Sequence, residues 1–190
     1  MLDVRWPRSA AECKVLAMQV VNIHALDIGT DRAHAGPLVD SLASRDDLLW
    51  PAGKWPAMRL DAPLGVGARG GHGPIGYTVT EYVPGQRVRF AFDRPAGFDG
   101  YHEFRVEGDA GQTVRVVHEL RMQTRGTAVV TWPLVFRPLH DALVEDALAH
   151  GAANLGLQVQ PPEWSRQVRV LRALVEVALG KQRAVSSRAT

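Results

Sequence analysis

The chain is poor in cysteine, in long apolar runs and in excess charge of either sign, and each shortage excludes a class of protein. One cysteine in 190 residues, Cys13, excludes an intramolecular disulfide framework and a cysteine-cluster metal site. No apolar run approaches the roughly 20 residues that cross a bilayer, so stable membrane insertion is not expected. The first residues, Met1 to Pro7, lack the layout of a signal peptide, which makes the cytoplasm the expected compartment. Net charge is +2, yet residues 163–190 alone carry +4, leaving the body slightly acidic. The body therefore has no basic excess to recruit nucleic acid. What remains, 46% apolar and 22% charged, is an ordinary globular composition with enough length to bury a core and a pocket.

Residues 13–23 are rich in Val, Leu and Ile and predict a buried strand that contains Cys13 as a small apolar residue. Thr30 or Asp31 caps a short helical stretch to Ser44, which Pro37 interrupts. Residues 45–65 read as an irregular connection in which Trp50 and Trp55 anchor a hydrophobic lid. From Gly65 to Met122, apolar and polar residues alternate with a period of two, predicting an antiparallel sheet with one apolar and one charged face. Pro138 then opens a helix whose stripe is Leu139, Leu143, Ala147 and His150. After Pro161-Pro162 comes a second amphipathic helix, with Trp164, Val168, Leu171, Val175 and Ala178 on one stripe and Arg166, Arg169 and Arg172 opposite. The expected division is a domain over 1–160 and a basic helical arm and tail over 161–190.

Turn chemistry extends this to a register. A tight turn at Pro84-Gly85 pairs Val83 with Gln86, Val79 with Phe90 and Tyr77 with Phe92. A three-residue loop, Asp109-Ala110-Gly111, sets Phe104 opposite Val116 and His102 opposite His118. Parity across residues 93–100 pairs Phe92 with His102. The apolar face then carries one row of Tyr77, Phe92, His102 and His118 above another of Val79, Phe90, Phe104 and Val116. Polar groups at one end of an apolar face are what a small-molecule pocket requires. These residues, with Leu143 from the helix, are the expected ligand contacts. His102, His118 and Tyr77 are the catalytic candidates if the protein is an enzyme.

Other motifs carry less. Gly65-Val66-Gly67-Ala68-Arg69-Gly70 matches a dinucleotide fingerprint in letters only, because a strand follows it. The glycines suit a strand and a turn over Gly70 to Pro74, with His72 a turn residue. His102-Glu103 and His118-Glu119 lack the second histidine of a zinc-protease helix. No metal is expected; the alternative is His102 and His118 joined by His140 or Asp141. No cofactor is expected either.

Four stretches together, residues 65–90, 97–107, 113–122 and 138–151, resemble the START-like helix-grip superfamily (SRPBCC), which includes polyketide cyclase/dehydrase-like and lipid-transfer proteins. The resemblance spans residues 13–156. It implies an α+β fold in which a curved antiparallel sheet of about seven strands wraps a long C-terminal helix around a hydrophobic cavity. The amphipathic helix after Pro161 is extra. It also implies a hydrophobic ligand, lipid-, polyketide- or aromatic-like, or, alternatively, cofactor-independent cyclase, aromatase or dehydratase chemistry on the cavity His and Tyr residues. The stripe on the last helix needs a cover, and a homodimer through residues 163–180 is the expected one.

Overall fold

In the computed structural model, residues 16–108 and 113–186 are described, with side chains to Val177 except Glu176. Seven strands form one antiparallel sheet: β1 (Ala17–Ile28), β2 (Arg59–Leu60), β3 (Arg69–His72), β4 (Ile75–Val83), β5 (Arg87–Arg94), β6 (Phe98–Glu107) and β7 (Val114–Arg125). Their order is β1-β7-β6-β5-β4-β3-β2, so β1 returns beside β7 at one edge. The helices are α1 (Arg32–Asp40), α2 (Ala128–Thr131), α3 (Arg137–Asn154) and α4 (Arg166–Ser186). A π-helical turn, Trp132–Phe136, joins α2 to α3. No described helix is long and apolar enough to cross a membrane.

The alternation in sequence sends Val79, Val88, Phe90, Phe104, Val106, Val114 and Val116 into the main core, against Leu143, Val144 and Leu148 of α3. The opposite face is charged. Arg105 bridges Glu103 (2.8 Å), Glu107 (2.7 Å) and Glu119 (2.9 Å), while Arg89 holds Glu103 (2.7 Å) and Arg121 holds Glu119. The expectation of one apolar and one charged face is therefore met.

Several local expectations change. The first strand runs Ala17–Ile28 and is an edge, with Val21 and Ile23 exposed on its outer face; Cys13 lies outside the described residues. Asp31 caps α1 by accepting from the His34 amide, but Pro37 sits inside the helix instead of interrupting it. The helix is short enough that Pro37 gives up only one bond, to the exposed first turn. Gly36 faces the β4–β5 turn so closely that a Cβ would lie 2.8 Å from Gly85 Cα. Gly70 to His72 belong to β3, and the turn narrows to Gly73-Pro74.

The register also moves. Val83 pairs with Arg87 instead of Gln86, and a bulge at Thr80 restores Val79 to Phe90 and Tyr77 to Phe92. The β5–β6 connection closes in three residues, Pro95 to Gly97, with Gly97 at φ +90°, which sets His102 opposite Phe90 instead of Phe92. Phe104 pairs with His118 and His102 with Leu120, instead of Val116 and His118; the loop expected at Asp109-Ala110-Gly111 lies outside the described residues. Both slips are of two residues, and a two-residue slip leaves every side chain on its own face.

α4 lies on α3. Val168 is buried in the main core, Trp164 packs against it and Arg172 stacks 4.5 Å from the Trp164 ring. The apolar stripe thus finds cover within its own chain as far as Val175, and Ala178 lies outside the described side chains. What stays exposed is a second line, Val170, Leu174 and Val177.

Candidate functional site

Between the sheet and α3 lies a cavity of about 200 Å³. Its wall combines strand residues (Phe92, Phe98, His102, Phe104, His118, Leu120) with helix residues (Trp132, Phe136, Leu139, His140, Leu143). Trp50 and Trp55 of the loop and His72 at the end of β3 also line it, and Val175 of α4 reaches it. Both loop tryptophans are anchored: Trp50 Nε1 donates to Pro56 O (3.0 Å) and Trp55 Nε1 to Asp146 (2.8 Å). Asp146 also accepts from Trp164 Nε1 (3.0 Å) and Lys54 Nζ (2.9 Å), so one carboxylate clasps the loop, α3 and the segment leading into α4 together.

Of the expected contacts, Phe92, His102, Phe104, His118 and Leu143 line the cavity. Tyr77, Val79, Phe90 and Val116 do not; they are fully buried in the sheet-side core. The Tyr77 hydroxyl bonds His72 Nδ1 (3.2 Å), and burial raises its pKa, keeping it protonated. His102 and His118 are diagonal neighbours, not directly opposed, yet they meet: His118 Nε2 lies 3.4 Å from His102 Nδ1. His102 stacks on Phe90 and Phe92, and His118 meets Phe104 edge-on.

Behind the wall, through His140, lies a polar cluster that the sequence did not suggest. His24 of β1 stands opposite His118, and His140 of α3 is 5.0 Å from the His118 ring. Asp141 Oδ1 accepts from Asn22 Nδ2 (2.8 Å) and lies 3.2 Å from His24 Nε2 and 3.4 Å from His140 Nδ1. Burial would raise the Asp141 pKa, but hydrogen bonds from His140, His24 and Asn22 outweigh it and hold the carboxyl well below its usual range. The group that can hold a metal among the described residues is His24, His140 and Asp141, in which His102 and His118 have no part. Asn22, His24 and His72 were missed. The first two depend on the β1–β7 pairing, for which adjacent residues give no signal. His72 reads in the sequence as a turn residue, between glycines that let a ligand approach closely.

Burial holds His102, His118 and His140 below the ordinary histidine pKa, so all three are neutral near pH 7. Buried and without hydrogen-bond partners are His102 Nε2, His118 Nδ1 and His140 Nε2. For His102, enclosed by Tyr77, Phe90, Phe92 and His118, the consequence for stability follows from linkage. The unfolded chain takes up a proton as pH falls through about 6.5, and the folded chain refuses it until much lower pH. Stability is therefore retained above pH 6.5 and falls below it, by about 1.4 kcal/mol per pH unit from this residue. Urea unfolding between pH 7.5 and 5.5 should show that slope reduced by the same amount in His102→Gln. An identical slope in the variant would remove His102 from the account.

No family model matches the chain, and no curated protein matches it in sequence. Solved structures do. A protein from Thermobifida fusca aligns with a TM-score of 0.56 at 14% identity, over 75% of this chain and 99% of its own. One from Nitrosospira multiformis gives 0.52 at 14%, over 80% and 99%. Truncated norcoclaurine synthase from Thalictrum flavum gives 0.52 at 13%, over 73% and 92%. The chain has the helix-grip fold. The resemblance read from residues 13–156 holds at that level, and identities this low carry no activity across.

Proposed function

We propose that the protein binds a compact hydrophobic small molecule between the sheet and α3, with the ligand's polar end on the imidazoles. The observation that carries this is the pairing of an aromatic cavity with three buried imidazole nitrogens that lack partners. Buried polar groups are nearly always satisfied, so unpaired ones on a cavity wall mark where a ligand atom or water belongs. A volume of about 200 Å³ is below the roughly 300–1,000 Å³ of drug-sized pockets and favours an aromatic or polyketide-like ring system over a whole lipid.

The test uses the full chain with a fluorescent naphthalene sulfonate as probe and extraction followed by mass spectrometry for native ligand. His102→Ala/His118→Ala should weaken probe binding about tenfold or more, with the circular dichroism spectrum preserved. Equal affinity in the variant would reduce both histidines to structural residues and overturn the reading.

A second reading is catalytic: cofactor-independent cyclase, aromatase or dehydratase chemistry with His102 and His118 moving protons. Their 3.4 Å contact and neutral state favour it, because a neutral imidazole can act as a base and its protonated form as an acid. The fold likeness to norcoclaurine synthase, one of whose structures holds a transition-state analogue, is support by analogy only. Tyr77, bonded to His72 and off the cavity wall, would act through its neighbours. A homodimer through residues 163–180 would have to bury Val170, Leu174 and Val177, the line that α4 leaves exposed. Light scattering on the full chain at micromolar concentration separates dimer from monomer.

A further inference from the structure

We propose that His24, His140 and Asp141 form a binding site for a divalent first-row transition metal, of which zinc is the simplest probe. One residue comes from edge strand β1 and two from α3, and their ligand atoms all lie within 4.8 Å of one another. His24 Nε2 and His140 Nδ1 stand 3.2 Å and 3.4 Å from Asp141 Oδ1. In a tetrahedral site with metal–ligand bonds of about 2.0–2.1 Å, neighbouring ligand atoms are about 3.3 Å apart. The same distances are long for a charge-assisted hydrogen bond, which closes to about 2.7–2.9 Å. Read as hydrogen bonds, they also crowd three donors, with Asn22 Nδ2, onto one carboxylate oxygen.

The surroundings fit a metal ligand set. Glu145 Oε1 lies 3.8 Å from His24 Nδ1, on the far side of the ring from Asp141. A carboxylate there favours the tautomer with the proton on Nδ1 and the lone pair on Nε2, the arrangement found behind metal-bound histidines. Arg137 Nε is 3.6 Å from Asp141 Oδ2, the other carboxylate oxygen, and so does not occupy Oδ1. Asn22 Oδ1, buried and unpartnered, is a further oxygen beside the cluster. Two imidazoles and one carboxylate select zinc, iron(II), cobalt or nickel over calcium and magnesium, which prefer all-oxygen ligands. Three protein ligands leave a position for an oxygen atom, and His140 belongs to the cavity wall, so the ion would sit at the edge of the cavity.

The experiment needs only the metal. The untagged full chain, stripped with chelator, is titrated with zinc chloride by calorimetry and with cobalt(II) by visible absorption. The site predicts one equivalent bound with a Kd of about 1 μM or tighter and a cobalt spectrum of low coordination number. His24→Ala and Asp141→Asn should each weaken zinc binding about a hundredfold or more, and Glu145→Gln about tenfold, while His102→Ala leaves it unchanged. Zinc should raise the Tm of the wild type and not that of His24→Ala. If His24→Ala fails to fold, Glu145→Gln, which retains all three ligands, carries the test. No stoichiometric binding at 100 μM zinc (about a hundred times the expected Kd) overturns the proposal. So does binding that survives both His24→Ala and Asp141→Asn, or that is lost in His102→Ala. The cavity reading stands or falls separately, on the probe affinity of the His102→Ala/His118→Ala variant.

Discussion

Asp146→Leu is expected to destabilise the protein by about 3–5 kcal/mol and to loosen α4 from the body. The Asp146 side chain is 1% exposed and accepts from the indoles of Trp55 and Trp164 and from Lys54. Lys54, more than half exposed, returns to water when its partner is removed. The Trp55 indole does not: it stays buried with a donor that nothing else satisfies, at about 1–3 kcal/mol. A hydrogen bond to a charged group contributes about 1.5–3 kcal/mol, so losing both indole bonds accounts for the expected loss of about 3–5 kcal/mol. Asp146→Asn keeps one acceptor oxygen and should cost about half as much. Denaturant unfolding followed by tryptophan fluorescence reads both, because the reporters Trp55 and Trp164 meet edge-on at 5.4 Å. A loss under about 1 kcal/mol in Asp146→Leu would show that the clasp contributes little.

The second large effect is expected on the other face of the sheet. Arg105→Leu should cost about 2–3 kcal/mol, since it strips one cation from three carboxylates at once. Glu103 and Glu119 are only 4% and 9% exposed, so they cannot exchange Arg105 for water. For Glu119, burial pushes the pKa up, while hydrogen bonds from Arg121 and Arg105 and their charges overcome this and lower it. Arg89 still holds Glu103 and Arg121 still holds Glu119 in the variant, which keeps the loss below that of a wholly orphaned charge. Because the carboxylates are covered, the loss should persist at high salt. A difference between wild type and Arg105→Leu that vanishes in about 0.5 M sodium chloride would assign these contacts to ordinary surface pairs.

Which face each strand residue occupies was legible because the strand period is two. Both register errors were of two residues, so His102, Phe104 and His118 kept their face although their partners changed. The bulge at Thr80 shows the same tolerance: it absorbed a one-residue error at the turn before the error reached Val79. The long helix was legible from Pro138 and its apolar stripe. His24 was not, since its place opposite His118 depends on pairing between strands about ninety residues apart. Asp146 was equally hidden, because a charged residue in an amphipathic helix reads as solvent-facing unless its indole partners, distant in sequence, are known.

The π-helical turn before α3 sets the phase of everything that follows it. Its wider loop, closed by the Arg137 amide donating to Trp132 O, holds one residue more than an α-helical turn over the same span. Deleting any one of residues 134–136 would remove that extra residue from the run between Ala128 and Asn154. Relative to α2, each later side chain would then be turned by about 100° and drawn back by about 1.5 Å. His140 and Leu143 would leave the cavity wall, Asp141 would lose His24, and Asp146 would swing away from both tryptophans. Three sites that no single substitution connects thus share one mechanical reference. The count of residues in that turn, more than the identity of any of them, decides which part of the helix the sheet grips.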